Sequence, residues 1–233
     1  MFYTLKTYLR LLIVALVVLF IQLSLSISPV LSQDVKIGTQ VWTSKNLDVS
    51  TFRNGEAIPE AKSIDEWRKA SINRTAAWCY YDNDEQNGKV YGKLYNWYAV
   101  NDPRGLAPKG YHIPSDDEWT VLTDKLGKVL VGEKLKSKTR WKKMNQMRGE
   151  PYTSGNGNNR SGFNGLPGGG RVGGELNGNF HSIGVGGSFW SSSENNTNIV
   201  MAWFRVLYFN NNRELVRNGS VKDNGESVRC IKD

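Results

Sequence analysis

Hydrophobic and polar positions change their rhythm after about thirty residues. Residues 1–10 carry Lys6 and Arg10 and no acid, residues 11–21 are uninterruptedly apolar, and no charge appears between Arg10 and Asp34. From there the pattern shortens. Val35-Lys-Ile-Gly-Thr-Gln-Val-Trp42 alternates apolar and polar side chains and predicts an opening strand or hairpin. Asn54-Gly55 marks a turn, and Ser63 followed by Glu66 three residues later predicts a short helix with a capping box over residues 63–70. Residues 76–81 are apolar and aromatic, Asn87-Gly88 carries the strongest hairpin signal in the chain, and the aromatic run at 94–100 predicts a helix of two turns.

The best-specified element begins at Ser115. Ser115 and Glu118 form a second capping box, and Asp116 and Asp117 add carboxylates at the positive end of the helix dipole. Trp119, Leu122 and Leu126 follow at helical spacing, Gly127 is placed to end the helix, and Pro114 blocks its extension backwards. Residues 149–187 hold 14 glycines and six asparagines with Tyr152, Phe163 and Phe180 among them. That composition predicts an ordered, loop-rich half of one domain, because a free linker has no use for recurring aromatics. Residues 188–192 and 200–209 read as strands. In the second, Ala202, Phe204, Val206 and Tyr208 share one face, and Trp203 and Arg205 take the other. Residues 210–212 turn the chain and residues 227–231 close it, with no internal repeat and no domain linker.

Composition adds a compartment. The basic start, the apolar stretch and Ser28-Pro-Val-Leu-Ser32 predict a secretory signal peptide over residues 1–32, cut after Ser32. The alternative is an uncleaved membrane anchor, since the uncharged stretch from Leu11 to Ser28 lies near the lower limit of about 17–20 residues a spanning helix needs. No cysteine stands near the cut, so lipid attachment through one is excluded. Cleavage would lower the net charge from +8 to +6 by removing Lys6 and Arg10. It leaves one domain over residues 33–233, exported to the periplasm, the cell surface or beyond. Only two cysteines and two histidines are present, which excludes a zinc site built from four thiolates. In an oxidising compartment Cys79 and Cys230 are expected to pair. The closed loop of about 150 residues would then contribute about 3–5 kcal/mol. Two buried free thiols are the other reading.

The ordered pieces resemble a known family. They run from Ile37-Gly-Thr-Gln-Val-Trp42 and Trp78-Cys-Tyr-Tyr-Asp82 to Tyr91-Gly-Lys-Leu-Tyr-Asn-Trp97 and Gly105-Leu-Ala-Pro-Lys-Gly-Tyr-His-Ile-Pro114. They continue through Asp117-Glu-Trp119, Ser161-Gly-Phe163, Leu166-Pro-Gly-Gly169, Phe189-Trp-Ser-Ser-Ser-Glu194 and Ser227-Val-Arg-Cys230. Together they look like the Fibrobacter succinogenes major paralogous domain, a bacterial exported family, over nearly all of residues 35–233. That family is similar at a distance to formylglycine-generating enzymes and the C-type-lectin-like fold. The resemblance implies an α+β single domain: twisted antiparallel sheet, two or three short helices, long Gly/Asn-rich loops, and terminal strands that lie close together. Many relatives place a cysteine where Ala107 stands, and a pairing of that position with the terminal cysteine would leave Cys79 another fate.

Chemistry is thinner. The oxidase activity of formylglycine-generating enzymes depends on two thiols near the C-terminal end, where this chain has Cys230 alone. His112 and His181 are candidate general bases or structural histidines, and no nucleophile motif is tied to either. Asp82, Asp84 and Glu85 offer clustered oxygens, but their spacing departs from a calcium loop and a polar hairpin tip is the plainer reading. Gly168-Gly-Gly-Arg171 lacks the strand-to-helix context of a phosphate cradle. Trp190, Glu194, Trp203, Tyr208 and Asn210, with neighbouring asparagines, combine flat apolar faces with oriented polar groups, as sugar sites do; core packing and turns are the alternative. The positive charge reads as spread, with a local cluster at Lys134, Lys136, Lys138, Arg140, Lys142 and Lys143 that suits an anionic polysaccharide or membrane surface. The expectation is therefore a non-catalytic binding module for carbohydrate or another surface polymer. No nucleic-acid partner and no cofactor is implied, and membrane contact would come only through an uncleaved N-terminal segment. The alternatives are a degenerate or uncharacterised enzyme on the formylglycine-generating scaffold and a structural or adhesive surface protein.

Overall fold

The structure, a computed structural model, describes residues 34–127, 129–144, 153–174 and 176–233. The expected signal peptide at 1–32 lies outside the described residues. Among those described, no helix is long and apolar enough to cross a membrane.

The described residues form an α+β domain. Strands β1 (Asp34–Ile37) and β2 (Gln40–Thr43) make the opening hairpin. β2 then pairs with the final strand β13 (Ile231–Lys232), which pairs in turn with β5 (Tyr111–His112), so the opening hairpin and the last strand adjoin as expected. A second sheet runs β12 (Val216–Val221), β11 (Met201–Tyr208), β10 (Gly186–Glu194), β8 (Gly168–Arg171), β9 (Phe180–Ile183). Its pairings are antiparallel except β8 with β10. Two two-stranded pieces complete the set: β3 (Trp78–Cys79) with β4 (Leu94–Tyr95), and β6 (Lys143–Met144) with β7 (Thr153–Ser154).

Helix α1 (Ile64–Asn73) carries the expected capping box, with Ser63 and Glu66 each bonding the other's backbone N–H. Asn87-Gly88, expected as a hairpin turn, instead lies inside helix α2 (Glu85–Tyr91). Asp84 caps α2 by accepting from the Gln86 N–H, so the local cap wins over the turn propensity. Gly88 is needed for packing: a Cβ there would meet the Tyr80 ring at 2.3 Å. The run at 94–100 also differs from expectation. Asn96 interrupts it as the cap of a single-turn helix α3 (Trp97–Val100), leaving Leu94 and Tyr95 in β4. Helix α4 (Asp116–Leu126) agrees with its sequence signals at both ends, from the Ser115/Glu118 box to Gly127 at φ 78°. The short α5 (Val131–Leu135) follows.

Three apolar clusters hold these layers. One gathers Trp78, Tyr95, Trp97, Trp190, Val228 and Cys230. A second stacks Trp42, Trp119, Phe163 and Phe189 with ring centroids 4.7–5.9 Å apart. The third surrounds Trp67, Cys79 and Tyr81. Much of the glycine-rich half is strand and tight connection; Gly169, at φ 65°, brings β8 so near β9 that a Cβ would sit 2.3 Å from the His181 carbonyl.

The cysteines correct the disulfide expectation. Cys79, in β3, and Cys230, just before β13, are free, buried thiols in different clusters. Cys230 shares its cluster with Ala107, not with Cys79. Burial raises the Cys79 thiol to about 11, against the lowering influence of Arg171, and raises Cys230 to about 12. Neither is a thiolate near neutral pH.

Candidate functional site

The five residues expected to form one sugar site do not come together. Trp190 is fully buried, its indole N–H donating to the Tyr95 carbonyl at 2.7 Å, so its ring offers no stacking face. It pairs across to Phe204 on the sheet face that the first cluster covers, because both faces of β10 are buried there. Glu194 and Trp203 stand near one end of β11, and Tyr208 and Asn210 at the other. Five residue steps along the strand separate Trp203 from Tyr208, on the order of 17 Å.

At the Trp203 end the charged groups are bound to one another. Buried Arg205 donates to Asp116 Oδ1 at 2.6 Å and to the Asp116 carbonyl at 3.0 Å. Arg217 reaches the same carboxylate at 2.8 Å, and its guanidinium lies 3.4 Å from the centroid of the half-buried Trp203 ring. Burial disfavours the Asp116 charge, but hydrogen bonds from Arg217 and Arg205 outweigh it and hold the carboxyl below its usual range. Glu194 is tied to Lys222 at 2.9 Å, and the Lys222 ammonium sits 4.7 Å from the Trp97 centroid.

The Tyr208 end is open. Tyr208 is 41% exposed, among the few large apolar side chains that face solvent. Asn210 is exposed beside it. Underneath, Lys136 is fully buried and donates to the Tyr208 and Phe209 carbonyls at 3.1 and 3.3 Å, with burial lowering its ammonium to about 8. The basic cluster is thus divided: Lys136 is internal, Lys134 is drawn to the Leu126 carbonyl, and Lys138, Arg140, Lys142 and Lys143 are exposed. Loop 137–143 abuts this end. The Gly155 N–H donates to the Lys142 carbonyl, and a Cβ on Gly155 would lie 3.0 Å from the Phe209 carbonyl.

The histidines occupy separate places. His112 bridges two carboxylates, Nε2 to Glu118 and Nδ1 to Asp233, both at 2.8 Å. Burial lowers its pKa, but the bonds to Asp233 and Glu118 prevail and the net direction is upward. His181 is exposed on β9. A Cβ on Gly170 would meet both its Nε2 at 3.1 Å and Glu226 Oε2 at 2.8 Å, which places the ring beside a buried acid. Asp82 and Asp84 lie in a 3₁₀ turn (Tyr81–Asn83) and at the α2 cap.

With this geometry in place, the family question has an answer. The Fibrobacter succinogenes major domain model matches residues 35–232. The chain belongs to that family. No curated protein and no solved structure matches it. The Fibrobacter succinogenes major domain motifs map here onto structural roles. The terminal Arg229 is fully buried and donates to Asn46 Oδ1 and to the carbonyls of Thr43, Phe163 and Asn164 at 2.6–3.0 Å. With no carboxylate among those partners, burial lowers its pKa to about 9.

Glu226 escaped the sequence reading. It is buried and accepts hydrogen bonds from the Ser188 and Ser220 hydroxyls, and burial raises its pKa to about 7. Nothing in Gly225-Glu-Ser227 signals this, because the hydroxyls arrive from strands β10 and β12. The arrangement suits a protonated carboxyl held inside the fold.

Proposed function

We propose that this chain is an exported, non-catalytic binding module that takes a carbohydrate or another surface polymer at the Tyr208 end of its central sheet. The observation that carries the reading is Tyr208 itself: a large aromatic side chain exposed at the end of a well-paired strand, followed by the exposed amide of Asn210 and the half-buried Asn211 and Asn212. Such a flat apolar face flanked by oriented amides is what sugar recognition requires. The finer fold reading, a C-type-lectin-like scaffold, draws support from the adjoining terminal strands and the doubly capped α4 packed on the aromatic cluster. Export is supported by the charge and apolar pattern of residues 1–32.

A glycan-array screen of the purified protein tests the function. Binding to one polymer class that Tyr208→Ala abolishes, with Trp203→Ala much less damaging, is the expected outcome. Absence of binding across a broad panel sinks it. Mass measurement of the protein recovered outside the cytoplasm checks the cut after Ser32.

A further inference from the structure

We propose that loop 137–143 is a docking surface for an acidic polysaccharide, carboxylated or sulfated. This deepens the binding-module reading and rests on it. The charge is concentrated, not spread. Residues 134–193 hold nine lysines and arginines against Glu150 and Glu175, a balance of +7, whereas the remainder of residues 33–233 sums to −1.

Four of these cations, Lys138, Arg140, Lys142 and Lys143, are exposed within six consecutive positions, and none is in an ion pair among the described residues. Elsewhere Arg104, Lys93 and Lys222 are each held by a carboxylate. The loop is anchored despite this repulsion. Trp141 is buried, its indole N–H shared between Ser137 Oγ at 3.0 Å and the Gly165 carbonyl at 3.2 Å. Its backbone N–H donates to Asn156 Oδ1, that of Ser137 to the Gly165 carbonyl, and that of Lys142 to the Gly184 carbonyl. Arg140 is kept at φ 77°, a left-handed conformation that costs a non-glycine residue and recurs where backbone is held for function.

The result is four exposed cations on an anchored loop whose Trp141 packs with Leu207 in the second aromatic cluster. A repeating polyanion matches it, because successive acidic groups along the polymer can face several of the loop cations at once. A bilayer matches less well, because none of the exposed large apolar side chains lies within loop 137–143 itself.

The test measures binding of the full chain to polygalacturonate, dextran sulfate, neutral dextran and phosphatidylserine vesicles, at low and high salt. Expected is binding to the acidic polymers, weakened by salt, and reduced at least about tenfold in K138E/K142E. K138Q/K142Q should lose less, and K69E/K109E, which changes net charge equally at other exposed positions, should stay within about twofold. Response to only one of the two acidic polymers identifies carboxylate or sulfate as the recognised group and supports the surface. Equal losses in K138E/K142E and K69E/K109E, or binding to the vesicles alone, overturn it. Neutral dextran binding that K138E/K142E leaves unchanged overturns the acidic ligand while the binding module stands. No binding to any polymer overturns both.

Discussion

At the Trp203 end of β11 one carboxylate, Asp116, holds two arginines, and Glu194 holds Lys222. At the Tyr208 end, Lys138, Arg140, Lys142 and Lys143 face solvent with no ion pair among the described residues. Both ends combine an aromatic ring with cations, so residue type alone does not separate them. The difference is where the counter-charge comes from. Asp116 belongs to the start of α4 and reaches the sheet because that helix packs on it, so the Trp203 end is satisfied by the fold itself. The Tyr208 end meets a stretch of chain poor in acids, and its exposed cations have no ion-pair partner among the described residues.

The comparison breaks most readily at Arg205. Arg205→Met removes a buried cation from Asp116 and is expected to cost about 3 kcal/mol in urea unfolding. An unchanged midpoint would mean that the Trp203 end is not held by this network. Glu226, behind the middle of the same sheet, comes next. Its folded pKa is raised, so the folded state binds the proton more tightly. Stability should fall as pH rises from about 4.5 to about 7 and then level off. Glu226→Gln should remove that slope and gain on the order of 2–3 kcal/mol at pH 8; a slope that persists in the variant would refute the assignment.

Ser115→Ala takes away one half of the capping box beside Asp116 and is expected to cost about 1 kcal/mol, read as a lower unfolding midpoint. His112 gives a smaller effect of defined sign. Its raised pKa makes its contribution complete below about 6.5, and lost as pH rises through the folded value. His112→Gln should flatten stability in that window, and an NMR titration of the ring gives the direction independently. Lys142→Ala, at the open end, should change stability by less than about 0.5 kcal/mol. A large loss there would show that the loop cations serve the fold.

The sequence was most legible where structure is made by near neighbours. Both capping boxes, the Gly127 stop and the β1–β2 hairpin depend on residues within a few positions of one another. Asn87-Gly88 misled because a short-range turn preference competed with the Asp84 cap and with the Tyr80 ring packed on Gly88. Trp190 misled for a different reason. Alternation reveals which side chains share a face, but the layer covering that face comes from residues nearly a hundred positions away, such as Tyr95. The cysteines were likewise readable as strand residues, while their separation into two clusters was not.

By itself, then, the sequence determined the family, the α+β class, the two capped helices and the apposition of the terminal strands that the family resemblance implies. Local caps, glycine stops and period-two alternation are written in consecutive residues. The tertiary structure decided which tryptophan is core, which thiols stay apart and which lysines face solvent. The buried groups behind these outcomes depend on partners brought from distant segments: Tyr95 to Trp190, Ser188 to Glu226, Asp116 to Arg205. Whether a buried or charged group is satisfied is a property of that long-range pairing, and it is what distinguishes the closed end of the sheet from the open one.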